Sequence, residues 1–428
     1  MSLPTKILLG LFSGLVVGLV ANLSGIEQLQ TIIGGLQPFG TAWIRLITMI
    51  VIPLVVASLL VGTASLGDLR KVGRIGGKTL AYYMVTTAVA VTIGLVISQV
   101  VEPGSGIDPA TRDALSAELA GAAQGSILMA AEKPSTVETL LNMIPRNPVA
   151  AAANMDLLPL IVFTIIFGAA VATLREDRKN AVLNFFHGVN DASMVVINWV
   201  MVLAPYAVFA LISAIVASFG LDLLRSLITY ALVVVVGLAL HVAVTYSLAA
   251  RFLAGLNPLA FYRSILKAPL IAFSTSSSNA TLPVTMETAE DEVGVSKEVS
   301  SVVLPLGATI NMDGTALYQA VAVMFIAQIY GIPLGFGAQL TVVLTATLAS
   351  IGAAGVPSAG IITPIIVLQS VGLGDQVEVG IALILGVDRI LDMLRTSVNV
   401  TGDITAAAVI AKSEGETLAP AVSVGGPT

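Results

Sequence analysis

Long apolar runs separated by short charged stretches dominate the chain. They predict membrane-spanning helices near 6–23, 42–66, 79–101, 147–174, 190–219 and 225–253. Pro53 and Pro205 fall inside two of these runs, where neighbouring helices in a membrane protein can accommodate them. The first run, Ile7 to Leu23, comes after Lys6 and lacks a small-x-small cleavage site, so it reads as a retained span. The segment 102–140 breaks the pattern. Glu102, Asp108, Asp113, Glu118, Glu132 and Glu138 alternate there with Gly and Ser, which predicts an extramembrane loop with some helix.

After residue 253 the pattern changes. Residues 258–292 are too polar for a plain span and carry Ser274-Thr275-Ser276-Ser277-Ser278-Asn279-Ala280-Thr281-Leu282-Pro283. An apolar segment, 299–330, is interrupted by Asn311-Met312-Asp313-Gly314-Thr315. The next, 336–372, has Ala349-Ser350-Ile351-Gly352-Ala353-Ala354-Gly355-Val356-Pro357 at its centre. These pieces read as two copies of one unit: a hairpin with a small-residue tip ending in Pro, then a helix with a polar break. The second break is predicted at Asn399-Val400-Thr401-Gly402-Asp403. One span lies between the tips, so the two hairpins enter from opposite sides. Broken segments at matching positions of two halves point to a transporter binding site.

The last apolar run, Ile381 to Ala411, carries the densest charge. Asp388, Asp392, Arg395, Asn399 and Asp403 stand 4, 3, 4 and 4 residues apart, so on one helix they form one stripe with Thr396 at its edge. At the centre of a bilayer each charge costs about 2.5–3.5 kcal/mol on insertion scales. The stripe must therefore face partners, a cavity or a ligand.

Composition agrees with a membrane protein. The chain is 56% hydrophobic and 11% charged, against about 25% charged in soluble domains. That excludes a soluble enzyme, and nothing resembles a nucleic-acid footprint. With no Cys there is no disulfide, thiolate metal site or Cys nucleophile. His187 and His241 lie far apart and read as structural or interfacial residues. Basic residues cluster at Arg70, Lys71, Arg74 and Lys78, at Arg175, Arg178 and Lys179, and at Arg251, Arg263 and Lys267. Segment 102–140 holds only Arg112 and Lys133, so the bias places both ends of the first six-span block in the cytoplasm, and the N- and C-termini are expected there.

Non-helical backbone at membrane depth must be buried in protein or line a cavity. The helix after each hairpin tip offers free N–H groups and a positive dipole end, which suits a substrate carboxylate. Carbonyls freed at Gly307, Asn311 and Asn399, with the carboxylates of Asp313 and Asp403, suit a small hard cation. Sodium fits as the driver, because each charge moved inward gains about 2.3 kcal/mol per 100 mV.

Ser276-Ser277-Ser278-Asn279-Ala280-Thr281-Leu282-Pro283, Asn311-Met312-Asp313-Gly314-Thr315 and Arg395-Thr396-x-x-Asn399-x-x-Gly402-Asp403 resemble the glutamate transporter family of dicarboxylate/amino acid:cation symporters. The resemblance covers nearly the whole chain, including the tyrosine-bearing third span. It implies an all-α polytopic fold of eight transmembrane helices plus two re-entrant hairpins in inverted repeats. It also implies a homotrimer and elevator transport, with the second hairpin as gate. By the same resemblance, 1–78 and 141–220 form a scaffold, and 79–140 holds span 3 of the transport part and the loop. Residues 221–428 are mainly transport core: span 6, hairpin 258–292, span 7 at 297–330, hairpin 336–372 and span 8 at 376–412.

The resemblance also implies the site residues. Arg395 would hold the substrate's side-chain carboxylate and Asp392 its α-amino group, helped by Thr396 and Asn399. Ser277 and Ser278, with amides from Val356 to Gly360, would cradle the α-carboxylate, and Ser276 and Thr315 belong to the same set. Three sodium ions are implied. One takes Asp403 with carbonyls of Gly307, Asn311 and Asn399. A second takes Thr309 and carbonyls of Ser350, Ile351 and Ala353, with Met312 nearby. A third takes Asp313, Asn311, Tyr83, Thr86 and Thr87.

Asp392 favours an amino acid over a plain dicarboxylate, and Arg395 favours aspartate or glutamate over a neutral amino acid. Gln319 stands where proton- and potassium-coupled animal members carry Glu, so neither coupling is expected. A second arginine found in many members is replaced by Ser276 and Met393. Arg389 is a candidate substitute that points differently on the helix. The alternatives are a proton-coupled glutamate/dicarboxylate symporter, a sodium-coupled neutral amino acid transporter, or an ion channel. The short loops and lack of Cys fit a prokaryotic inner membrane.

Overall fold

The computed structural model describes residues 3–65, 73–106, 141, 144–154, 157–351, 359–374 and 376–419. Most of the predicted loop, with Asp108, Asp113, Glu118, Glu132 and Glu138, and the second hairpin tip from Gly352 to Pro357 lie outside the described residues, as do Arg70 and Lys71. The described chain is helical, without an extended strand. It comprises α1 (Leu3–Ser24), α2 (Glu27–Gly34), α3 (Gln37–Thr48), α4 (Val51–Ser65), α5 (Gly73–Val101), α6 (Pro148–Ala153), α7 (Leu157–Ala172), α8 (Glu176–Val202) and α9 (Ala204–Leu240). Then come α10 (Pro258–Ile265), α11 (Lys267–Thr275), α12 (Ser278–Thr288), α13 (Lys297–Ile310), α14 (Asp313–Ile329), α15 (Phe336–Ile351), α16 (Ala359–Ser370) and α17 (Val377–Ser413).

Among the described residues, four helical stretches are long and apolar enough to cross a membrane: Thr5–Ser24, Arg74–Val101, Arg225–Leu253 and Lys297–Ile329. A fifth is Glu176–Val202 joined to Ala204–Ala214 across a 54° bend. The stretch Lys297–Ile329 is wholly enclosed by other helices, whereas the other three keep most of their surface outside. An apolar outer surface and an enclosed polar centre are what hydrocarbon surroundings demand. This is an integral membrane protein.

Helix boundaries reflect local chemistry. Pro53 and Pro205 do not interrupt helices: each lies in the first turn of its own, α4 or α9, where the missing N–H costs nothing. The predicted gap between 219 and 225 is absent, and α9 runs through it. Leu221, Asp222, Leu223, Leu224 and Arg225 contain no breaker, so polarity alone does not end the helix. Asn147 and Asn257 cap α6 and α10 with their side-chain oxygens, and each precedes a Pro.

α1 lies along α9 at close range, because a Cβ on Gly14 would come within 2.8 Å of the Phe209 carbonyl. The centre is α14, packed against α5, α9, α15, α16 and α17. Its residues from Asp313 to Ala327 are all buried. α17 packs against α9, α11, α13 and α14, so its polar stripe faces protein on several sides.

Candidate substrate and cation site

The charge stripe closes on itself. Arg395 is fully buried; its Nη1 donates to Asp388 Oδ1 at 2.8 Å and its Nη2 to Asp392 Oδ1 at 2.9 Å. The guanidinium carbon lies 3.9 Å above the Tyr318 ring, supplied by α14. Arg395 Nε is buried without a partner. Thr396 Oγ1 donates to the Asp392 carbonyl one turn back, at 2.8 Å. A guanidinium in contact with two carboxylates and an aromatic face is held by charge-assisted bonds that leave it poised for a planar anion.

One turn further along α17 the stripe meets the break between α13 and α14. Asn311 is extended (φ −81°, ψ 91°) and Met312 also leaves the helical region. Asn311 Nδ2 donates to Asp403 Oδ1 at 2.8 Å and to the Asn399 carbonyl at 3.1 Å. Asn399 Oδ1 accepts from Gly314 N at 2.8 Å, while its Nδ2 reaches Met312 Sδ at 3.2 Å and Thr315 Oγ1 at 3.4 Å. Asn311 Oδ1 is buried and has no partner. Side chains are excluded at two glycines here. A Cβ on Gly307 would collide with Asp403 and the Tyr83 hydroxyl, and one on Gly402 with the Tyr246 hydroxyl and Asn311.

Asp313 lies on the far side of the break. Its Oδ1 accepts from Thr87 at 2.5 Å; its Oδ2 accepts from the Tyr246 hydroxyl at 2.9 Å and lies 3.2 Å from His241 Nε2. All four side chains are buried. Among the described residues no three His, Cys, Asp or Glu side chains gather into a metal cluster. Two separate carboxylates, an orphaned amide oxygen and nearby carbonyls suit a weakly hydrated monovalent cation better than a divalent one.

The chain matches the model of the sodium:dicarboxylate symporter family over residues 3–413. It is 37% identical over 414 residues to a proton/sodium-glutamate symport protein of Geobacillus stearothermophilus, covering 97% of this chain and 95% of that one. A proton/glutamate-aspartate symporter of Escherichia coli is 35% identical, with 96% and 93% covered. An excitatory amino acid transporter of Caenorhabditis elegans is 36% identical, with 87% and 80% covered. The chain belongs to the sodium:dicarboxylate symporter family. It is a transport protein and not an enzyme.

In this symporter the residues singled out from sequence fall into neighbouring groups. Asp392, Arg395 and Thr396 share one cluster, and Asn311, Met312, Thr315, Asn399 and Asp403 share the next. Tyr83 and Gly307 border Asp403, and Thr87 holds Asp313. Thr86, Thr309 and Ser350 bond within their own helices, to the carbonyls of Tyr83, Pro305 and Thr347. At the first tip Ser276 is left-handed (φ 51°), Ser277 caps Ala280 N at 3.2 Å, and Ser276 and Ser278 hold buried hydroxyls without partners. Ser397 Oγ donates to the Pro269 carbonyl at 2.9 Å, tying that hairpin to α17. Ile351 ends α15 and Gly360 lies in the first turn of α16, whereas Ala353 and Val356 lie outside the described residues.

One reading of the last helix is corrected. Asn399 to Asp403 form no break: α17 is continuous from Val377 to Ser413. Gly402 costs a helix about 1 kcal/mol relative to Ala, but no Pro is present and Val400, Ile404 and Ala406 are buried, so packing holds the helix. Arg389, the candidate substitute for the second arginine, brings its Nη1 to 3.3 Å from Asp392 Oδ2.

Four residues of these clusters were not assigned roles from sequence. Asp388 was visible in the stripe but its pairing with Arg395 was not. Tyr318 stands in a helix whose mixed sequence shows no polar stripe to single it out. His241 and Tyr246 stand five apart, a spacing that α-helical periodicity separates. The segment His241–Tyr246 is π-helical, and i→i+5 bonding brings both to one face, with ring centroids 4.6 Å apart.

Proposed function

We propose that this chain is a sodium-coupled secondary active symporter for acidic amino acids, L-aspartate and/or L-glutamate. The observation that carries this reading is the buried Arg395, shared between Asp388 and Asp392. A substrate carboxylate takes the place of Asp392 on the guanidinium while Asp388 stays paired with it, and the substrate's ammonium takes up Asp392. A ligand with both charges meets both members of the Arg395–Asp392 pair, and breaking such a pair one-sidedly costs about 3–5 kcal/mol. The unpartnered hydroxyls of Ser276 and Ser278 suit the α-carboxylate, with Ser277, Thr315, Thr396, Asn399, Val356 and Gly360 completing the pocket.

Sodium is carried as co-substrate, three ions per cycle. Asp403, Asn311, Asn399 and Gly307 hold one, and the Asn311 amide nitrogen, bonded to both Asp403 and the Asn399 carbonyl, supports grouping them. Thr309, Met312, Ser350, Ile351 and Ala353 hold a second, and Asp313, Asn311, Tyr83, Thr86 and Thr87 a third. The transport core, 221–428 with span 3, moves as an elevator against a scaffold of 1–78 and 141–220. The full fold has eight spans and two re-entrant hairpins, the second of which is the gate. The protein works as a homotrimer in a prokaryotic inner membrane with both termini cytoplasmic.

Proton coupling is a second reading, favoured by the names of the Geobacillus and Escherichia relatives. Uptake of radiolabelled L-aspartate into proteoliposomes separates the two. The sodium reading predicts uptake with sodium outside and none with choline. Uptake driven by an imposed pH gradient without sodium would replace it with the proton reading.

A further inference from the structure

Four aspartates are buried among the described residues: Asp313, Asp388, Asp392 and Asp403. Asp388 and Asp392 pair with arginines, whereas among the described residues no Arg or Lys reaches Asp313 or Asp403. Asp313 is held instead by three side chains from two other segments. Thr87 of α5 donates to its Oδ1 at 2.5 Å. Tyr246 donates to Oδ2 at 2.9 Å, and His241 Nε2 lies 3.2 Å from that same oxygen. A carboxylate oxygen only accepts, so the imidazole nitrogen facing it carries a hydrogen. His241 Nδ1 is buried without a partner, which fits the Nε2–H tautomer.

The two oxygens of Asp313 are therefore not equivalent. Oδ2 takes two donors, one for each lone-pair direction, and is filled. Oδ1 takes one donor and keeps a lone pair, as does the Thr87 oxygen beside it. His241 and Tyr246 reach one oxygen because the segment joining them is π-helical; an α-helix turns residues five apart to different faces. Their rings meet edge to face, with centroids 4.6 Å apart. The Tyr246 hydroxyl is also seated against Gly402 of α17, where a Cβ would collide with it. Packing thus fixes both donors, and together they turn Oδ1 toward Thr87.

We propose that His241 and Tyr246 are positioning residues for cation binding at Asp313: by filling Oδ2 they leave Oδ1, with the Thr87 oxygen, as the pair that meets sodium. This rests on the sodium-coupled reading above, and within it on the third ion. A buried carboxylate without a counter-charge is costly, and an arriving cation relieves that cost. Removing either donor lets the carboxylate turn, so the ion meets a group that is no longer aimed at it. Neither side chain bonds to the Arg395 cluster, so the substrate's own contacts are spared.

The test is L-aspartate binding to the purified full chain, measured at limiting sodium and again with sodium raised until the Kd no longer falls. At limiting sodium the aspartate Kd carries each ion's dissociation constant as a factor. His241→Leu and Tyr246→Phe each remove one donor and are expected to raise that Kd at least about tenfold, one decade per 1.4 kcal/mol. At full sodium both stay within about threefold of wild type. His241→Gln, whose amide nitrogen can stand where Nε2 stands, stays within about threefold at both concentrations. A Kd unchanged at limiting sodium in either donor-removing variant would overturn the proposal. So would a rise of the same size at full sodium, which marks a merely structural role, or a glutamine variant as weak as the leucine one. Wild-type aspartate binding that does not depend on sodium would instead remove the sodium reading, and the proposal with it.

Discussion

The side-chain nitrogen of Asn311 donates to Asp403 at 2.8 Å and to the Asn399 carbonyl at 3.1 Å, so its oxygen faces neither. Both neighbours are acceptors, which fixes the orientation of the amide. The oxygen is left buried and unpaired, a state that costs about 1–3 kcal/mol unless a donor or cation meets it. Asn311→Ala is expected to raise the sodium concentration needed for half-maximal aspartate binding by about tenfold or more. A sodium titration of aspartate binding measures this, and an unshifted midpoint removes Asn311 from the cation site.

The Tyr318 ring beneath Arg395 predicts a split between two substitutions. A desolvated cation–π contact is worth about 2 kcal/mol. Tyr318→Leu is expected to weaken aspartate binding about tenfold or more, while Tyr318→Phe, which keeps the ring face, stays within about threefold. Equal losses in both variants would show that the ring face is not what Arg395 uses.

Features that obey the α-helical repeat were legible in the sequence. Asp388, Asp392, Arg395, Asn399 and Asp403 are spaced for one face, and α17 carries them on one unbroken helix. The break at Asn311 and Met312 was legible because Asn, Asp and Gly interrupt an apolar run. The same residue types at Asn399 to Asp403 misled, because buried neighbours on both sides keep the helix intact. His241 and Tyr246 were illegible because a π-helical turn changes the period. Arg389 stands off the stripe by angular position, and its side-chain length brings it to Asp392 all the same. Pro53 and Pro205 marked helix starts that hydropathy alone smooths over.

Beyond the last helix the chain is tied down by carboxylates. Glu414 accepts from Lys78 at 2.7 Å and pairs with Arg74 at the start of α5; Glu416 accepts from the Ser296 N–H at 3.0 Å. Ala419 N donates to the Val293 carbonyl at 2.9 Å and Leu418 is buried. The Lys78 hydrogen bond, and then Arg74, hold the Glu414 carboxyl below its ordinary value of 4.5. A depressed carboxyl stabilises the fold above its unfolded pKa and loses that contribution as pH falls through the folded one. Glu414→Gln is therefore expected to melt lower than wild type at pH 7, with the gap closing as pH drops below 4.5. Thermal melts across pH measure it; a gap that persists at low pH contradicts the ion-pair account.

Arg395 carries the central claim, and its substitution in transport is the most direct test. Sodium-driven uptake of L-aspartate and of L-alanine is measured side by side in proteoliposomes bearing wild type, Arg395→Lys and Arg395→Ala. The account predicts that wild type takes up aspartate and not alanine. It also predicts that aspartate uptake falls at least about 100-fold in Arg395→Ala, and that Arg395→Lys is weakened because an ammonium lacks the bidentate fork. Aspartate uptake that survives in Arg395→Ala, with sodium still required, would contradict it, because the side-chain carboxylate would then be held elsewhere.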